Sequence, residues 1–452
     1  MSFKSINPFT NELIFEKPFE ENSITNDKVA QLKASFPSWK LNFTIKQRIT
    51  IIEKIKIFTL ANQQQMALSA TQEMGKPIAE STAELDKCIV LCDYYINNAT
   101  QILKNETIET DAHLSYVSNE PLGVILGIMP WNFPFWQVFR FIIPTLLAGN
   151  TVALKHAPNV GLCAKWFEKL AQNCEIEPFF KILYCSHSTV VTLIDEQKFQ
   201  GVSHTGSTLA GKNIGELAGR NIIPCVLELG GSNAMLIFDD ADITHAAESI
   251  IKGRFLNAGQ SCIAAKRIIV HEKVYDQIAK KVVELCKQLN VGDPMLVETN
   301  IGPLARIDLA DNLINQVNKS IHVGATALTE FKQQGCLFSP IILGNVKPDM
   351  PVFNQETFGP VLPLIKATSS KHMIALSNRS NYGLGVSLIG KNIDTLKSYI
   401  PTLNEGAVFI NEIVKSDPRL PFGGIKQSGI GRELGPDGLL AFVNRKTVFI
   451  NS

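Results

Sequence analysis

Two doubly wound α/β domains carrying a small β flap are the fold this sequence predicts, and three observations predict it. From Gly123 onward, short apolar segments alternate with helix-patterned ones, at residues 124–128, 151–154, 182–184, 201–203 and 225–229. That alternation is the signature of a parallel sheet covered by helices. A second alternating set follows Gly230-Gly231, at 234–238, 267–271, 361–365, 386–389 and 407–410. At 452 residues the chain is too long for one simple core, so the two sets read as two domains hinged near the glycine pair.

The elements follow in order. Residues 1–20 read as an edge segment with turns at Asn7-Pro8 and Thr10-Asn11. Residues 25–105 are helical: Thr25-Asn26-Asp27 offers a cap, and Val29, Leu32, Phe36 and Trp39 recur at helical spacing. Ile49, Ile52, Ile55 and Phe58 mark a second helix, Gly75-Lys-Pro77 interrupts it, and a third runs from Ala79 to about Leu103. Residues 106–118 lack a helical period and read as a pair of short strands, as does the segment 446–451. Strands of that kind invite pairing with another chain, although a covered edge within one chain is the plainer reading. The expected organisation is therefore residues 1–105 and 120–229 as one dinucleotide-binding domain, 230–435 as a catalytic domain, and 106–119 with 440–452 as a β segment bridging copies.

Composition narrows the function classes. A hydrophobic fraction of 45%, a charged fraction of 19% and a net charge of +1 describe an ordinary globular protein with no general attraction to nucleic acid or anionic membranes. The nine cysteines are scattered and form no CxxC pair, which argues against a disulfide framework or a metal site and fits a reducing compartment. The first residues show no apolar signal region, and the most apolar stretch, 124–154, contains three prolines, Asn132 and Arg140. A cytoplasmic location is expected.

The chemistry centres on Phe255-Leu-Asn-Ala-Gly-Gln-Ser-Cys-Ile-Ala-Ala-Lys266, where Cys262 stands among small and polar neighbours. Gly259 tolerates backbone angles that let a tight turn present the thiol, and backbone N–H groups beside it suit a developing oxyanion. Glu228 follows an apolar run and precedes two glycines; desolvation there raises a carboxylate toward the range of a useful general base. Pro130 and Pro134 fix the backbone around Asn132, whose amide is a candidate second oxyanion donor. Each has a plainer reading alone: a cysteine packed as a small hydrophobe, a strand-end carboxylate, and an asparagine satisfying its loop.

On the cofactor side, Gly206-Ser-Thr-Leu-Ala-Gly211 follows a short strand and opens a helix, whose free N–H groups suit a phosphate with Ser207 adding a hydroxyl. Lys155 ends another strand, at the edge where such sheets bind ligands. Alone, these are a capped helix and a solvated lysine.

Taken together, Pro130-Trp-Asn-Phe-Pro, Gly206-Ser-Thr-x-x-Gly211, Glu228-Leu-Gly-Gly231, Gly259-Gln-Ser-Cys262, Glu356-Thr-Phe-Gly-Pro360 and Pro421-Phe-Gly-Gly-x-Lys-x-Ser-Gly429 occur in an order that resembles the aldehyde dehydrogenase superfamily along nearly the whole chain. The resemblance implies that family's fold, NAD or NADP as cofactor, no metal, and a homo-oligomer, dimer or tetramer. It implies that Cys262 attacks an aldehyde, that Asn132 and the Cys262 N–H hold the oxyanion, and that Glu228 activates water against the thioester. Glu356 would hold the nicotinamide ribose, Phe358 would pack near the nicotinamide, Lys155 would contact the adenosine ribose and Ser207 the pyrophosphate, with Trp131, Gly206 and Leu229 as further cofactor contacts. Two departures bear on the cofactor. Lys155-His-Ala-Pro158 lacks the glutamate that repels a 2′-phosphate, so NADP is expected to be tolerated, and Leu183-Tyr-Cys-Ser-His-Ser188 lacks a Gly-x-Gly common near the adenine.

Leu154-Lys-His-Ala-Pro-Asn159, Gly253-Arg-Phe, Ala264-Ala-Lys-Arg267 and Ile301-Gly-Pro-Leu-Ala-Arg306 are most similar to the shorter bacterial succinate-semialdehyde dehydrogenases. Their substrate's distal carboxylate needs a cation. Arg140, eight positions after Asn132, matches an arginine of those enzymes and binds a carboxylate in bidentate fashion; an intramolecular ion pair is the competing reading. A second arginine of some such enzymes is Leu256 here, and Ser416, Lys415 or Arg419 are other candidate contacts. The rival functions are oxidation of glutarate semialdehyde or a neutral aldehyde, and a thioesterase-like hydrolase using Cys262 and Glu228.

Overall fold

A computed structural model of the chain describes residues 2–451. The hairpin Ser2–Ile6 and Leu13–Pro18 precedes three helices, Asn22–Asn42, Ile45–Met74 and Ile78–Ile102. Thr44 starts the second helix in a reciprocal capping box with Gln47, which satisfies two otherwise orphaned donors. Gly75 ends it at φ 77°, and a Cβ there would strike the ring and carbonyl of Pro303. The helix stop is therefore also a contact with the second half of the molecule.

Five parallel strands follow, in the spatial order Cys225–Glu228, Gly201–Thr205, Val124–Met129, Thr151–His156 and Phe180–Ile182. All six residues of Val124–Met129 are buried, as in a strand covered on both faces. Val124, Leu126 and Ile128 face one core with Leu193 and Leu217, while Ile125 and Met129 face the other with Phe139 and Ile142, following the two-residue period of a strand. The segment expected at 182–184 pairs two residues earlier: the strand ends at Ile182, the Leu183 N–H makes its last bond to the sheet at the Leu154 carbonyl, and Tyr184 is buried beyond it. A short antiparallel strand, Gly429–Ile430, joins the edge at Cys225–Glu228.

The second sheet has seven strands, in the order Thr326–Ala327, Ile341–Gly344, Val361–Ala367, Ala265–His271, Asn233–Ile237, Val386–Ile389 and Val408–Ile410. The first two carry no clear sequence signal: one has two residues, the other four. Two relations position the site. The first sheet's order reverses between Val124–Met129 and Gly201–Thr205, which opens a crevice at the strands' carboxyl ends. Glu228 closes a strand at that edge, Asn233 opens the second sheet, and Ala265 pairs with Asn233. Cys262, three residues before Ala265, is thereby brought to the crevice.

A separate three-stranded sheet pairs Val443–Ile450 with Leu114–Pro121 over eight positions and adds Glu106–Thr107. Among the described residues no helix is long and apolar enough to cross a membrane.

Candidate active site

The loop before Cys262 is built from a left-handed turn. Asn257, Ala258 and Gly259 take φ of 55°, 50° and 75° in succession, a conformation disfavoured for L-residues other than asparagine and aspartate. Packing holds it: a Cβ on Gly259 would strike the Gly359 carbonyl. Arg254, fully buried, donates to the carbonyls of Thr357, Gly359 and Val361, which ties the helix Ile243–Phe255 to the segment containing Glu356 and Phe358. Lys266 Nζ lies 2.8 Å from the Cys262 carbonyl and 2.9 Å from Glu356 Oε1. Burial pushes the Cys262 thiol up to about 11, against the pull of Lys266 and Arg140.

Asn132 is held from two sides. Its amide donates to the Gln260 carbonyl at 3.0 Å, leaving the second N–H of the NH₂ group. The Asn257 amide donates to the main-chain carbonyl of Asn132 at 2.7 Å. Behind the loop, Glu84 Oε1 accepts from the N–H groups of Phe135 and Trp136 at 2.8 Å each, and its other oxygen meets buried Lys76. His156 Nε2 lies 2.9 Å from the Pro134 carbonyl while Nδ1 accepts from the Ala157 N–H at 2.8 Å, so the ring is a neutral tautomer that pins the same loop. Glu80 adds a further clamp by accepting from the Asn257 N–H at 2.7 Å.

Glu228 is 2% exposed, and neither carboxyl oxygen has a hydrogen-bond partner. Burial, then the neighbouring Glu433, raise it well above the usual carboxylate range, and Arg140 and Arg432 oppose the shift.

Two cavities meet at Cys262. The first is lined by Cys262, Asn132, Glu228 and every residue expected on the cofactor side: Trp131, Lys155, Gly206, Ser207, Leu229, Glu356 and Phe358. Ser207 caps the helix Thr208–Arg220 by accepting from the Ala210 N–H. Leu229 packs so closely on Gly211 that a Cβ there would overlap it. Trp131 and Phe358 meet edge to face at 5.8 Å. Lys155 is 1% exposed and has no carboxylate within ion-pair distance among the described residues; burial lowers it to about 8. The Glu356 carboxylate also accepts from the Gly231 N–H at 3.1 Å.

The second cavity, of about 220 Å³, is lined by Cys262, Trp136, Arg140, Phe422, Ser416 and Lys87, among others. Here the structure bears on the expected substrate contacts. Arg140 and Ser416 are both in the wall, but Arg140 forms a buried ion pair with Glu433 at 2.5 Å. Lys415 pairs with Glu412 and Arg419 with Asp417.

Four supporting residues, Lys76, Glu80, Glu84 and Lys87, lie outside the quoted motifs. A signal existed for three of them: Glu80, Glu84 and Lys87 recur at intervals of four and three on the helix Ile78–Ile102, which puts them on one face.

The aldehyde dehydrogenase family model matches residues 1–448. The chain is 39% identical over 454 residues, covering 100% of both proteins, to a probable NADP(+) succinate-semialdehyde dehydrogenase of Synechocystis sp.. It is 37% identical over 449 residues to the NAD(P)+ succinate semialdehyde dehydrogenase of Escherichia coli, covering 98% of this chain and 97% of that one. The crystal structure of succinic semialdehyde dehydrogenase from Streptococcus pyogenes in complex with NADP+ superposes with a TM-score of 0.96 at 32% identity, over 99% of this chain and 100% of that one.

Proposed function

The chain belongs to the aldehyde dehydrogenase family, and from that premise we propose that it oxidises succinate semialdehyde to succinate with NADP or NAD. The observation that carries the reading is the position of Cys262 between two cavities of different chemistry. One offers a helix N-terminus and a buried, unpaired lysine, as a dinucleotide requires. The other is a short pocket walled by Arg140, Lys87 and Ser416, as a small aldehyde with a distal carboxylate requires.

The first cavity fits NADP. The N-terminal amides of the helix Thr208–Arg220 and the Ser207 hydroxyl would hold the pyrophosphate. Lys155 would meet the adenosine ribose, where Pro158 offers no carboxylate to repel a 2′-phosphate. Glu356 would accept from the nicotinamide ribose, with Phe358 and Trp131 as its apolar wall. The relatives described by their names as using NADP agree with this.

Cys262 would pass its proton to water in the cavity and attack the aldehyde carbon as the thiolate, and the free N–H of Asn132 with the Cys262 N–H would receive the oxyanion. A bound nicotinamide supplies the hydride acceptor. Glu228, whose oxygens no protein group occupies, would take a proton from the water that cleaves the thioester. A hydrolase acting without cofactor would leave the first cavity without a purpose, so oxidation is favoured over the thioesterase reading. All nine cysteines are free thiols, which supports a cytoplasmic setting, and the partly exposed flap of Leu114–Pro121 and Val443–Ile450 supports assembly into a homo-oligomer.

Steady-state reduction of NADP and NAD with succinate semialdehyde, glutarate semialdehyde and propanal tests the proposal. Succinate semialdehyde is expected to lead in kcat/KM; equal turnover of propanal would leave only the family's general activity.

A further inference from the structure

Lys87 is the cation of the second cavity that no carboxylate neutralises. Its Nζ donates to Ser416 Oγ at 2.6 Å and lies 4.3 Å from the centre of the Trp136 ring. Among the described residues no carboxylate oxygen comes within ion-pair distance of it. The other charged groups around this wall are already matched: Arg140 with Glu433, Lys76 with Glu84, Lys415 with Glu412 and Arg419 with Asp417. Glu80, on the same helix face, accepts from the Asn257 N–H. An ammonium has three donors and no acceptor, so Lys87, with one donor on Ser416, has two left for the cavity.

Resting on the proposed substrate, we infer that Lys87 is the residue that recognises its distal carboxylate, with Ser416 holding the ammonium in place and Arg140 adding charge from behind its own ion pair. Two observations support this. Lys87 and Arg140 are close enough to repel, and burial with that repulsion lowers Lys87 to about 8; an arriving carboxylate relieves both costs. In addition, Trp136 and Phe422 beside the two cations form a partly apolar wall, where a charge-assisted hydrogen bond is stronger than in water.

The test compares wild type, Lys87→Met and Lys87→Arg with succinate semialdehyde and with butanal, its analogue without the carboxylate, at saturating NADP. Lys87→Met is expected to raise KM for succinate semialdehyde at least about tenfold, to leave kcat/KM for butanal where it was, and to be largely rescued by Lys87→Arg. Parallel losses on both substrates, or an unchanged preference in Lys87→Met, would overturn the assignment while the wild-type preference still stood. A wild type that does not prefer succinate semialdehyde to butanal would instead remove the substrate reading, and the assignment of Lys87 with it.

Discussion

The side-chain amide of Asn257 donates to the main-chain carbonyl of Asn132 at 2.7 Å and to the Gln260 carbonyl at 3.2 Å. One residue thereby joins the loop of Asn132, the proposed oxyanion donor, to the loop of Cys262, the proposed nucleophile. Its φ of 55° suits asparagine better than most residues. Asn257→Ala is expected to lower kcat roughly tenfold to a hundredfold, the scale of a small misplacement of reacting groups, with KM for NADP unchanged. Stopped-flow measurement of the first hydride transfer would show whether the loss lies in that step.

Glu228 has no hydrogen-bond partner for either oxygen and is raised by burial and Glu433. Glu228→Gln removes the proposed base and keeps the volume. The expected result is a rapid burst of reduced cofactor followed by a steady state slower by about 10²- to 10⁴-fold, with a thioester trapped on Cys262. Mass spectrometry of the quenched enzyme detects that adduct; loss of the burst itself would move Glu228 to the attack step.

Lys155 is buried and unpaired, so an anion stabilises it more than a neutral ligand does. Lys155→Met is expected to raise KM for NADP by about tenfold to a hundredfold and KM for NAD by less. Equal effects on the two cofactors would place Lys155 away from the 2′-phosphate.

His156 and His204 are buried, and desolvation pulls each from the ordinary 6.5 down to about 4. The unfolded chain takes up these protons near 6.5 and the folded protein does not. The stability they contribute is thus complete above the unfolded value and is lost as pH falls through 6.5 toward 4, at about 1.4 kcal/mol per pH unit for each histidine. Buried carboxyls such as Glu73 and Glu80, raised to about 7, contribute with the opposite sign over the same range, so the difference between wild type and His156→Gln in denaturant unfolding from pH ~7 to ~5 isolates the histidine: the destabilisation caused by the substitution is expected to shrink as pH falls.

Local chemistry made much of this protein legible in the sequence. Alternating apolar segments announce parallel strands because a strand covered on both faces has to be apolar throughout. Pro130, Gly206 and Gly259 announce the site's loops because few residues fit the backbone these loops need. Tertiary structure alone decided the rest. Leu183 and Tyr184 read as strand because burial and strand pairing leave the same apolar trace. Gly429–Ile430 joins a strand some two hundred positions earlier, a pairing no local pattern encodes. The partners of the charged residues were likewise invisible: an arginine at position 140 looks the same in sequence whether it faces a substrate or Glu433. Charge type is a property of the residue, but whether that charge is free depends on which carboxylate the fold brings within reach, and this is why the unpaired state of Lys87 emerges only from the folded molecule although its helix was legible in the sequence.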